Sequence, residues 1–125
     1  MIQKKTFTPY EANKRLPLIK RIVEDILQKG NRIKALGLLE RTPSVAEEHA
    51  SLVTAIEILM AELEALGCYF KDWNFEIGLV DFPAVIEGRD VLLCWRSDEL
   101  KVEWYHGMED GYQGRQRIPE ALLVS

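Results

Sequence analysis

The chain has 125 residues, 47% hydrophobic and 29% charged, with 16 Lys+Arg against 20 Asp+Glu and a net charge of −4. That balance excludes disordered and fibrous classes and suffices for one hydrophobic core, so a single domain over residues 1–125 is expected. A nucleic-acid partner is not expected, because no dense basic run is present to meet phosphate.

No apolar run exceeds five residues, so neither a membrane-spanning helix nor a membrane partner is expected. The N-terminal Met1-Ile2-Gln3-Lys4-Lys5 has no apolar stretch behind its charge, as a signal peptide would. The two cysteines, Cys68 and Cys94, do not form a CxxC pair. Both are expected to be free thiols in a cytoplasmic protein.

Residues 8–67 predict a helical hairpin. Thr8-Pro9-Tyr10-Glu11 is a capping box with Pro at the first helical position. Ala12, Leu16, Ile19, Val23, Ile26, Gly30 and Ile33 then recur in steps of four and three, which is one helical stripe. Pro17 removes a helical hydrogen bond, so a kink or a restart is expected there, with a stop near Gly37. Thr42-Pro43 opens a second helix, with a stripe of Val45, His49, Leu52, Ile56, Leu59, Leu63 and Leu66 and a left-handed stop at Gly67. The short connection makes the two helices antiparallel.

Residues 70–106 predict a β-meander of three or four strands. Two-residue turns at Glu87-Gly88 and Asp98-Glu99 set the register. Ala84 then faces Val91, Phe82 faces Leu93 and Val80 faces Trp95. In the next hairpin Trp95 faces Val102, Leu93 faces Trp104 and Val91 faces His106. One face is then almost wholly apolar and is expected beneath the helices. The other face places Asp81, Cys94 and Glu103 in one row, with Leu79, Leu92, Arg96, Lys101 and Tyr105 around them. Residues 107–125 form a Gly-rich tail.

Asp81 lies in an apolar run, where a carboxylate needs a partner or water. In this register Arg96 is near enough to be that partner. Cys94 and Glu103 share the row, but His106 falls on the opposite face. Sulfur and carboxylate without His make a poor zinc site, so no metal and no cofactor are assigned. His49 on an apolar stripe reads as a core histidine. Arg96, His106 and Arg115, with the tail glycines, could hold a small anion.

Phe7-Thr8, Glu11-Ala12-Asn13 and Leu16-Pro17, then Gly67 and Lys71-Asp72, then Gly78-Leu79-Val80-Asp81-Phe82-Pro83-Ala84, resemble a bacterial family of small proteins, domain of unknown function 2203. Gly88-Arg89, Leu93-Cys94-Trp95-Arg96, Trp104, His106, Gly111 and Gly114-Arg115 extend the resemblance through most of the chain. The chain departs from the family pattern where Tyr105 separates Trp104 from His106. The resemblance implies the boundaries and a bacterial cytosolic setting, and implies no activity.

The expected architecture is α+β, a long antiparallel helical hairpin on one face of the meander. The second sheet face needs a cover, from a second copy or from residues 118–125. A homodimeric interaction module without catalysis is the leading expectation. A binder of a small anionic ligand, using Arg96, His106 and Arg115, is the alternative. An enzyme or metal protein built on Asp81, Cys94, Glu103 and His106 is the third.

Overall fold

A computed structural model describes residues 5–72 and 74–124. Helix α1 spans Pro9–Leu36 and helix α2 spans Pro43–Leu66. The strands are β1 (Tyr69–Phe70), β2 (Leu79–Ile86), β3 (Arg89–Arg96), β4 (Trp104–Gly107) and β5 (Gln116–Arg117). A one-turn helix, α3, follows at Glu120–Leu123. The sheet is antiparallel in the order β1-β2-β3-β4-β5, so strand order follows chain order. The α+β hairpin-and-meander architecture is as expected, with five strands because two-residue strands add to each edge.

The capping box forms as the sequence predicts. Thr8 Oγ1 accepts from the Glu11 amide, and Glu11 Oε1 accepts from the Thr8 amide. Pro17 neither ends nor restarts α1, which continues through it to Leu36. The ring is exposed, while Leu16, Ile19, Val23 and Ile26 bury against the core on the opposite side. Burial of that stripe outweighs the cost of one interior proline, about 3 kcal/mol.

Gly67 closes α2 in the left-handed conformation, φ 95°. Within α2 only Ile56 and Leu63 are fully buried, and His49 is exposed rather than a core residue. That helix packs chiefly on α1 and has one covered side.

The first β-hairpin has the expected register: Val80 opposes Trp95, Phe82 opposes Leu93 and Ala84 opposes Val91. Glu87 (φ 52°) and Gly88 (φ 77°) make the two-residue turn. All six of these paired side chains are buried in the core with Ile86.

The second hairpin differs from expectation by one residue. Val91 opposes Gly107, Leu92 opposes His106, Leu93 opposes Tyr105 and Cys94 opposes Trp104. Two polar side chains cause the shift. Glu99 turns back on the end of β3: its Oε1 accepts from the Arg96 amide, and its carbonyl accepts from the Trp95 indole N–H. Asn13 on α1 takes Val102 out of the ladder, accepting from its amide at 2.7 Å and donating to its carbonyl at 3.0 Å. The connection is therefore a loop over residues 97–103 instead of a two-residue turn. A slip of one residue exchanges the faces of every residue on β4. Tyr105 now packs against the core, and Trp104 and His106 move to the outer face.

The cover of the outer face also differs. Ile118 joins the core and α3 packs against α1, so residues 118–124 lie on the helical side. The turn before β5 approaches the outer face instead, where Arg115 Nη2 donates to the Cys94 carbonyl at 3.1 Å. A second copy is not needed to cover Cys94 and His106.

Candidate metal centre

Asp81 on β2, Cys94 on β3 and His106 on β4 converge on the outer face. Their donor atoms lie within 4.8 Å of one another, and all three residues are buried. Asp81 and Cys94 are directly opposed. His106 stands one row along, opposite Leu92, and its Nε2 reaches Asp81 Oδ1 at 3.3 Å.

The role of one His106 nitrogen is fixed by its partner. Nδ1 lies 2.8 Å from the Gly107 carbonyl, which can only accept, so Nδ1 carries the proton. Nε2 is then the atom that faces the carboxylate oxygen. An imidazole nitrogen and a carboxylate oxygen at 3.3 Å hold a proton or a cation between them. The Cys94 thiol lies beside the same carboxylate, within 4.8 Å.

The environment opposes leaving these groups charged and alone. Burial pushes the Asp81 carboxyl up, against the opposing pull of His106 and, more weakly, Lys71. Burial and then the Asp81 charge push the Cys94 thiol up to about 12. A bound divalent cation reverses that logic, since it draws the proton from a coordinating thiol.

The donor chemistry fits such an ion. One imidazole nitrogen, one thiolate and one carboxylate suit a zinc-class metal, with bonds of about 2.0–2.3 Å. Donors on a tetrahedral ion of that size lie ~3.3–3.8 Å apart, so a contraction of roughly 1 Å closes the site. Gly107 supplies the outer partner that fixes the histidine tautomer in metal sites. Three protein donors leave one coordination position free. Beside them is a cavity of about 400 Å³, walled by Lys71, Leu79, Leu92, Met108, Glu109 and Tyr112.

The other predicted site residues lie elsewhere. Glu103 leaves the row because Trp104 takes its place, and it pairs with Arg117 at 3.0 Å. Arg96 is not the partner of Asp81. It holds Asp98 at 2.6 Å and donates to the Tyr112 hydroxyl. Arg115 bonds both oxygens of Glu99 and lies between the rings of Trp104 and Tyr112, with centroids at 4.9 and 4.8 Å. Arg96 and Arg115 are each engaged by a carboxylate, and both lie against Tyr112, whereas His106 is engaged by Asp81. Sequence reasoning missed Lys71 and Tyr112. A register in which Trp104 opposes Cys94 would have placed His106 beside Asp81.

Fold and site together define a small α+β protein with a buried Asp–Cys–His cluster beneath an open pocket. The chain belongs to the family described as an uncharacterized conserved protein, domain of unknown function 2203, which matches residues 5–118. No curated protein and no solved structure matches it. Among the described residues, no helix is long and apolar enough to cross a membrane.

Proposed function

We propose that the protein binds one divalent transition-metal ion of the zinc class through Asp81, Cys94 and His106. The single observation that carries this reading is the His106 ring. Its Nδ1 is tied to a carbonyl, while its Nε2 meets a buried carboxylate beside a buried thiol. Three donors and a free position resemble the catalytic rather than the structural type of zinc site. A metal there would polarise a bound carbonyl or make a bound water more acidic.

The test is metal analysis of protein purified without chelator, followed by cobalt loading. One ion per chain is expected, with a thiolate-to-cobalt charge-transfer band. Asp81→Asn, Cys94→Ser and His106→Ala should each lose the ion or weaken it at least about tenfold. Unchanged stoichiometry and affinity in these variants would overturn the reading, as would failure of the native chain to bind under excess metal.

A homodimeric interaction module is the second reading, and exposed apolar side chains on the helical hairpin favour it. Ile58 on α2 is 57% exposed, and Leu38 and Leu39 in the connection before α2 are 90% and 52% exposed. A second copy docked on the hairpin would cover them.

A further inference from the structure

We infer that the pocket beside the Asp81–Cys94–His106 centre takes a small monocarboxylate with a short hydrocarbon body. This rests on the metal reading above. A divalent ion held by one thiolate and one carboxylate is already neutralised, so ligand charge is selected by the pocket wall. Lys71 is the cation of that wall. It is exposed, has no ion-pair partner among the described residues, and its charge is felt at Asp81. One ammonium suits one carboxylate, which would place an oxygen on the free metal position.

Glu109 lines the same pocket and disfavours a second negative charge. A phosphate dianion therefore fits worse than a monocarboxylate. Leu79, Leu92 and Met108 offer apolar surface for the body of the ligand. About 400 Å³ is near the lower end of small-molecule pockets, which limits the ligand to a few carbons.

The experiment is a titration of the cobalt-loaded chain with valerate and with inorganic phosphate, read from the visible cobalt bands. Valerate should move the bands saturably, and phosphate should be weaker. Lys71→Met should weaken valerate at least about tenfold, the scale of one charge-assisted bond. Glu109→Gln should tighten valerate or leave it unchanged. Both residues are exposed, so neither substitution threatens the fold.

Bands unmoved by valerate would overturn this inference and leave the metal centre standing. Equal binding by Lys71→Met, tighter binding of phosphate, or weaker valerate binding by Glu109→Gln would overturn it too. Failure to take up cobalt would remove the metal reading itself, and is told apart by the absence of any cobalt spectrum.

Discussion

Burial raises the affinity of the Asp81 carboxyl for its proton, despite the nearby His106 and Lys71. The sign of its effect on stability follows. A carboxyl whose folded value is raised contributes stability at low pH and loses it as pH rises through that value. Above that value the ionised Asp81 opposes folding. Asn in its place would carry no charge and could donate to His106 Nε2. Asp81→Asn should therefore melt no lower than the native metal-free chain, with a gain of up to about 1 kcal/mol. Calorimetry on chelated protein checks this, and a large loss would mark Asp81 as a structural carboxylate. Cys68 sits elsewhere in the core, and burial pushes its thiol from 9.0 to about 12. Its contribution to stability is whole below pH 9 and is lost between about pH 9 and 12. Denaturant midpoints should fall across that window. Cys68→Ala should flatten the fall, by at most about 1.4 kcal/mol per pH unit.

At the scale of elements, Asn13 is the long-range side chain that, with Glu99, sets the face of β4. It substitutes for a strand by taking both the N–H and the carbonyl of Val102. Asn13→Ala leaves those two backbone groups without their partner in a part-buried setting. The expected cost is about 2 kcal/mol, measurable by urea titration. Asn13→Asp keeps the acceptor and should cost less. These bonds also explain where the sequence stops being legible. Both long helices, their caps and the first hairpin follow from local signals: Thr8, Thr42, Gly67 and the Glu87-Gly88 turn. The face of β4 depends on Asn13, which is 89 positions from Val102 in the chain. No periodicity contains that contact. Because His106 rides on β4, the same bond decides whether Asp81 and Cys94 have an imidazole beside them. The Asp81–Cys94 row was readable from the first hairpin, and the histidine was not.

For the whole molecule, the two sides of the sheet carry different tasks. The inner side, with Val80, Phe82, Leu93 and Trp95, is a core closed by α1. The outer side is covered around Cys94 by the turn that ends in Arg115, through its bond to the Cys94 carbonyl. The remaining unpartnered apolar surface includes α2 and the tip of the hairpin. Self-association through α2 predicts a dimer in sedimentation velocity that Ile58→Glu converts to monomer. The same substitution should leave cobalt binding unchanged, since Ile58 is absent from the walls of the metal pocket. A monomeric native chain at all concentrations tested would remove this reading.

The meander order has a consequence for how the centre comes into being. Each strand finds its partner in the next stretch of chain, so Asp81, Cys94 and His106 are joined by two successive short loop closures. Such closures are fast and entropically inexpensive compared with bringing together distant segments. In a fragment holding only β2, β3 and β4, before α1 has docked and Asn13 has taken Val102, the row of Asp81 and Cys94 is in place and β4 samples both of its faces. A cation present during folding would be captured at that stage and would favour the native register over its one-residue neighbour, in which His106 points the other way. Refolding with zinc present should then be faster than refolding with chelator, and the difference should vanish in His106→Ala.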